Sequence, residues 1–242
     1  MLMSAHMYRS LSLTMILFAA LGAGCTRSFE AKYLPGMPRL QQADQFRGLR
    51  VGIATFDDRR PSVNAAEPET RGYVAKLGVW RFGLTYKGKE FVPVEDLVQS
   101  LFVEEFGRAG IDASPIPKVL GKGMSEAMRV AGEQTGVSHV LGGNVNVFEF
   151  VNYDKFWYIE SARSVVLEIQ LVRVRDGELV LDSSAAATDR GSEGMMVTHS
   201  SNIDQLMNRV FRLVVYQVVD QVAAKLAMDP RDIDVRIAIV SR

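Results

Sequence analysis

The chain is poor in the residues that build staples, metal sites and nucleic-acid surfaces. Its 242 residues include one cysteine, Cys25, so no internal disulfide can form. It has three histidines, and His6 lies in a segment read below as removable. The other two, His139 and His199, are 60 residues apart, with no second thiolate and no H-x-x-x-H spacing, so no zinc site is expected. Each reads as a surface or strand-end histidine. Net charge is absent as well, with 28 Lys+Arg against 28 Asp+Glu. Phosphate binding needs a concentrated positive field, which argues against nucleic acid as the main partner. Ser183, Ser184, Ser200 and Ser201 sit in no G-x-S-x-G pattern, and no Ser-x-x-Lys pairing stands out. Gly121-Lys122-Gly123-Met124-Ser125 lacks the phosphate-loop spacing, and Gly142-Gly143 lacks a third glycine at dinucleotide spacing. These read as a flexible helix entry and a bend or bulge. What the chain does have is 48% apolar and 23% charged residues, ordinary for a globular core.

The N-terminus carries the clearest pattern. Arg9 is the only fully charged side chain before Cys25, and the apolar run Leu11–Leu21 follows it. A stable spanning helix needs about 20 apolar residues, so this run is too short. A basic start, a short apolar core and then small residues is the layout of a secretory signal. Leu21-Gly22-Ala23-Gly24-Cys25 resembles a bacterial lipobox, with Gly22 where a large apolar residue usually stands and Leu21 one place earlier. The resemblance implies cleavage before Cys25, a diacylglycerol on its thiol and an acyl group on its amine, and no other cofactor. Thr26 stands where an Asp would favour inner-membrane retention, which implies outer-membrane anchoring facing the periplasm. Removing residues 1–24 takes away Arg9 and leaves 27 basic against 28 acidic side chains. The chain then divides into a signal peptide (1–24), a lipidated Cys with a flexible tether (25–47), and a single α/β domain facing the periplasm (48–242). The tether reading rests on a polar stretch with Pro35 and Pro38 and no sustained periodicity.

Within the domain, Leu49–Phe56 alternates and stops at Asp57-Asp58-Arg59-Arg60-Pro61, a strand ending in a charged turn. Residues 62–92 carry one or two short strands around Val79–Phe82 and Leu84–Tyr86, joined through Lys87-Gly88-Lys89. Pro93–Ala109 is a helix with Val94, Leu97, Val98, Leu101, Phe102 and Phe106 on one face and Gly110 as its stop. Ile111-Asp112-Ala113 is a short strand and Ser125–Thr135 a second helix. His139–Tyr153, Trp157–Arg175 and Leu179–Thr188 are strands, with a turn at Arg175-Asp176-Gly177-Glu178. In the first, Val145, Val147, Glu149 and Val151 share one face, and Asn144, Asn146, Phe148 and Phe150 the other. In the second, Val165, Leu167, Ile169 and Leu171 form the core face. Arg190–Ser200 is a loop. Asn202–Met228 is a long helix, capped by Ser200, Ser201 or Asn202 and buried against a sheet, and Ile233–Ile239 is an edge strand. This order predicts an α/β fold leaning to α+β: a mixed sheet with a long antiparallel hairpin and helices packed mainly on one face.

The lipobox at Cys25, the strand-and-turn Val51–Arg60, the helix Val94–Ala109 leading into Gly110-Ile111, and the Val165–Thr188 hairpin before an apolar helix resemble bacterial lipoproteins with a domain like the amino-terminal domain of TolB. These include the YajG-like and CsgG-like groups and auxiliary lipoproteins of some lipid transporters. The resemblance implies a binding, assembly or transport-support role without catalysis, with an envelope protein or further copies of the chain as partner.

Two clusters are the candidate partner-binding sites. One is Asp57, Asp58, Arg59 and Arg60, which reads either as a solvated turn whose acids pair with its own arginines or as a docking site. Adjacent carboxylates on an extended chain point to opposite faces, which disfavours joint acid–base work. The other is Tyr153, Trp157 and Tyr158, where charge and large aromatics share one loop. They belong to an aromatic set with Trp80, Phe82, Tyr86, Phe148, Phe150 and Phe156 that reads as core packing or as an exposed strip. That set and the broad apolar helix leave a second function open, an auxiliary carrier for a lipid or other apolar small ligand.

Overall fold

The computed structural model describes residues 26–30, 32–64, 66–77, 80–117, 124–154, 158–193 and 199–228. The expectations for Cys25, Trp157 and the Ile233–Ile239 strand fall outside these residues. In chain order the strands are β1 (Thr26–Glu30), β2 (Arg50–Ala54), β3 (Asp57–Asp58), β4 (Tyr73–Leu77), β5 (Trp80–Thr85), β6 (Asp112–Ile116), β7 (His139–Asp154), β8 (Ile159–Arg173) and β9 (Leu179–Glu193). The helices are α1 (Val94–Ala109), α2 (Met124–Thr135), α3 (His199–Gln205) and α4 (Arg212–Met228), the last two joined through a π-helical stretch, Leu206–Phe211.

The larger sheet has the order β6-β2-β7-β8-β9, with β3 also on β7. β2 is parallel to both β6 and β7, and β7-β8-β9 is an antiparallel meander. Pro115 is accommodated because β6 is an edge strand, where a missing N–H costs no ladder bond. The fold is α+β, as the order of elements implies. β8 buries Val165, Leu167, Ile169 and Leu171, the face expected. β7 does not keep one phase. Leu141 and Val145 are buried, then Phe148 and Phe150, because a bulge between Val145 and Val147 adds one residue and flips the faces. Just before it, Gly143 has φ +151, and a Cβ there would lie 1.9 Å from the Glu168 carbonyl oxygen. No other residue fits that approach.

The main core lies between one face of this sheet and α1 with α4. Leu97, Leu101 and Phe102 of α1 and Val214, Val218 and Val222 of α4 are fully buried there. Phe211 anchors it, its ring 5.3 Å from Phe148, 6.2 Å from Phe102 and 6.0 Å from Tyr33. α2 covers the opposite face, where Met128 packs with Ala54, Ile116, Val140 and Val172. α1 ends as expected at Gly110, whose φ of 90° is the left-handed conformation that closes a helix.

Three expectations need correction. Residues 26–47 are not a tether. β1 pairs in parallel with β5 of a second, three-stranded sheet ordered β1-β5-β4, and Tyr33, Met37, Ala43 and Phe46 are buried. Buried Glu105 of α1 holds this segment, accepting from the Tyr33 hydroxyl at 2.6 Å, Met37 N–H at 3.0 Å and Gly36 N–H at 3.1 Å. Asn208 Oδ1 accepts from Leu34 N–H at 2.8 Å. β9 continues to Glu193, into the loop expected over Arg190–Ser200, because β8 supplies a pairing partner all the way to Ile159. Finally, residues 62–92 hold two short strands, within the one or two expected, but β5 pairs with the earlier Tyr73–Leu77 and is not joined to it through Lys87-Gly88-Lys89. The Lys87-Gly88 turn closes through mutual Tyr86–Lys89 backbone bonds.

Candidate functional site

The charged corner is structural at its centre. β3 places Asp57 opposite Asn144 and Asp58 opposite Val145, and alternation sends their side chains to opposite faces. Asp58 and Arg60 are buried, their side chains 4% and 2% exposed. The pair is bidentate: Arg60 Nε donates to Asp58 Oδ1 at 2.8 Å and Nη2 to Oδ2 at 2.7 Å. Arg60 also donates to the carbonyls of Tyr73 at 2.6 Å, Arg71 at 2.7 Å and Phe148 at 3.4 Å. The pairing of this turn with its own arginine is present, but the turn is not solvated there. Asp58 and Arg60 therefore present no surface to a partner, because their polar atoms stitch β3, the start of β4 and β7 together. Arg59 is exposed and Asp57 half-buried. On the outer face, Asn144 donates to Glu168 at 2.6 Å. That bond first, then Asn146 and the charge of Arg59, hold the Glu168 carboxyl below the usual range.

The aromatic candidates lie elsewhere. Tyr153, at the end of β7, is 49% exposed and Tyr158, just before β8, is 44% exposed. Val145, opposite Asp58, lies eight residues before Tyr153, or about 26 Å of strand. The two candidate clusters are thus not brought together. The rest of the aromatic set divides. Phe82, Phe148 and Phe150 are core, while Trp80 is 38% exposed.

Beneath the aromatic end lies a polar cluster that the sequence reading did not single out. Arg163 is fully buried on the core face of β8. Its Nη2 donates to Asn202 Oδ1 at 2.7 Å and its Nη1 to Asp189 Oδ2 at 3.3 Å. Ser161 Oγ donates to Asn152 Oδ1 at 2.7 Å, and Asn202 Nδ2 reaches the same oxygen at 3.3 Å. Asn202 therefore does not cap the helix; it joins α3 to the ends of β7, β8 and β9. The signal was visible: Arg163 shares the phase of Val165, Leu167, Ile169 and Leu171.

A groove of about 390 Å³ runs between the corner and this end, lined by Glu67, Tyr73, Lys76, Arg81, Glu149 and Val151, among others. His139 is buried, not at the surface, because it opens β7 between β2 and β8; its Nδ1 lies 3.1 Å from Ser138 Oγ. Among the described residues, no group of three or more His, Cys, Asp or Glu side chains is placed to hold a metal ion.

No family model matches the sequence, and no curated protein matches it. Solved structures do resemble it. A DUF330 protein from Xanthomonas campestris is 14% identical, with a TM-score of 0.48, over 85% of this chain and 99% of that one. Lipoprotein GNA1162 from Neisseria meningitidis is 16% identical, with a TM-score of 0.36, over 73% and 99%. PelC from Paraburkholderia phytofirmans, solved as a dodecamer, is 14% identical, with a TM-score of 0.37, over 75% and 92%.

Proposed function

We propose that the protein is a lipid-anchored, non-enzymatic module of the bacterial envelope. Cys25, carrying diacylglycerol and an N-acyl chain, holds it in the outer membrane facing the periplasm, where it binds an envelope protein or further copies of itself within an assembly or transport complex. The observation that carries this reading is the N-terminal layout: Arg9, a short apolar run, and the only cysteine of the chain where the small residues end. Two or three acyl chains anchor stably where one is marginal. We also assign it to the lipoproteins with a TolB-amino-terminal-like domain, the YajG-like and CsgG-like group, on the β2 strand and turn, α1 and the β8–β9 hairpin.

The folded part supports binding over catalysis. Of the two carboxylates that could serve as acid and base at the corner, Asp58 has both oxygens engaged by Arg60. Exposed Tyr153 and Tyr158 are of the kind enriched in contact surfaces. The carrier reading loses part of its motive, because Phe82, Phe148 and Phe150 are used in ring contacts within the core.

The test is metabolic labelling with a clickable palmitate analogue in wild type and Cys25→Ser, followed by crosslinking in the envelope and mass spectrometry. Label lost in the variant together with a reproducible protein partner supports the proposal. Absence of label from wild type overturns the anchor, and label without any partner or self-crosslink overturns the assembly role.

A further inference from the structure

β1 begins at the first residue after Cys25, and this fixes where an anchor on that cysteine holds the fold. Thr26 pairs with Arg81 of β5. Thr26 lies at the Trp80–Arg81 end of the small sheet, and adjacent Cα atoms are about 3.8 Å apart, so an anchor on the preceding residue would tie that end to the membrane. That end is level with the tip of the long β7–β8 hairpin. Arg60 binds the carbonyls of both Tyr73 and Phe148, which sets the start of β4 beside Phe148. Phe82, opposite Ala75, has its ring 6.3 Å from Phe150. β4 therefore climbs along β7 in the same direction, and the next residues up, Lys76, Arg81 and Val151, line one groove. Trp80 lies beyond them, at the level of Tyr153. α3 packs on β1.

The side chains exposed here share one chemistry. Trp80, Tyr153 and Tyr158 are the aromatic residues among the exposed large apolar side chains of the described residues, and all three are at this end. The Arg27 guanidinium lies 5.8 Å from the Trp80 ring centroid, and Arg81, next to Trp80 on β5, pairs with Lys76 of β4. Trp and Tyr rings favour the headgroup level of a bilayer, and Lys and Arg favour its phosphates.

We infer that Arg27, Lys76, Trp80, Arg81, Tyr153 and Tyr158 form a membrane-contact face that rests on lipid headgroups beside the anchor. The inference rests on the lipidation of Cys25 proposed above. A tether of about 20 free residues would let the domain roam. Here one peptide bond separates the acylated residue from the sheet, so the contact is intramolecular and weak headgroup interactions suffice at the resulting effective concentration.

The test uses the full lipoprotein, extracted from membranes and reconstituted in phosphatidylethanolamine–phosphatidylglycerol vesicles with lipid brominated near the headgroup. The chain has two tryptophans, so Trp157→Phe leaves Trp80 as the sole emitter. Loss of Trp80 emission relative to unbrominated vesicles is the expected result. Unchanged emission in protein whose mass shows acyl chains on Cys25 overturns the contact face and leaves the anchor standing. A mass without acyl chains overturns the anchor, and the contact face with it. In cells, a benzophenone side chain at Tyr153 should crosslink to lipid; crosslinking to a protein alone overturns the inference and makes this end a protein interface.

Discussion

Arg60 and Arg163 are both withdrawn from solvent, but their partners differ in kind. Arg60 finds its carboxylate two residues away and spends its remaining donors on backbone carbonyls of β4, β7 and the turn before β4. Its acid is as buried as it is. Arg163 reaches across the chain, to Asp189 26 residues away on β9 and Asn202 39 residues away on α3. Its acid is 32% exposed and is also approached by Arg209 at 3.9 Å. The corner is a closed rivet whose ion pair is local, while its bonds to backbone carbonyls form when β4 and β7 meet over it. The tip is a junction whose acid itself comes from another strand, and that acid stays partly exposed to solvent.

The largest effect should come from breaking the rivet. Arg60→Met leaves a buried, unpaired Asp58 carboxylate and three carbonyls without their donor. We expect a loss of about 3–5 kcal/mol in urea unfolding, the usual cost of stranding a buried charge. Asp58→Asn with Arg60→Met should recover part of it. Arg163→Met should cost less, about 1–3 kcal/mol, because water can reach Asp189 when its partner is gone. The loss should also be local, with faster amide exchange at the ends of β8, β9 and α3 while α1 stays protected. A global loss as large as that of Arg60→Met would erase the distinction between the two sites.

What the sequence disclosed, and what it hid, follows the same division. α1 was legible to its ends because its apolar face, Pro93 and Gly110 are local signals. The β8 core face was legible because alternation survives over its length, and the same alternation pointed to Arg163. The β7 faces misled, since nothing in Val145-Asn146-Val147 announces a bulge that depends on β8. The segment 26–47 read as a tether because Tyr33, Met37 and Phe46 have no period between them. Glu105 of α1 accepts from Tyr33, Gly36 and Met37, a set of contacts that packing creates and no local pattern announces. At the candidate sites, local pairing of Asp58 with Arg60 was foreseeable, whereas their burial was not, since it comes from β4 closing over them.

The N-terminal latch offers a third test between rivet and junction, since it too is buried but joins remote elements. Tyr33→Phe deletes one hydrogen bond to Glu105 and should cost about 1 kcal/mol. Burial, then the Glu105 hydrogen bond, push the Tyr33 hydroxyl above the ordinary phenol value of 10.0. Below pH 10 the phenol is protonated in both states and its contribution is complete. Above it the unfolded chain loses the proton while the folded one keeps it, so stability falls as pH rises. The fall measured between pH 9 and 11 should therefore be shallower in Tyr33→Phe than in wild type.

The smallest effect is expected at the tip itself. Tyr153 and Tyr158 are close to half exposed, so the double change Tyr153→Ser and Tyr158→Ser removes little buried area. Substitutions of that kind usually stay within about 0.5 kcal/mol, and the thermal midpoint should barely move. Arg163, three residue pairs further along the hairpin, should still reach Asn202 and Asp189, so amide protection of α3 should also hold. A destabilisation matching that of Arg163→Met would mean the rings are packed parts of the junction. Unchanged stability would leave them as surface held ready over a polar support, which is what a contact face at this end requires.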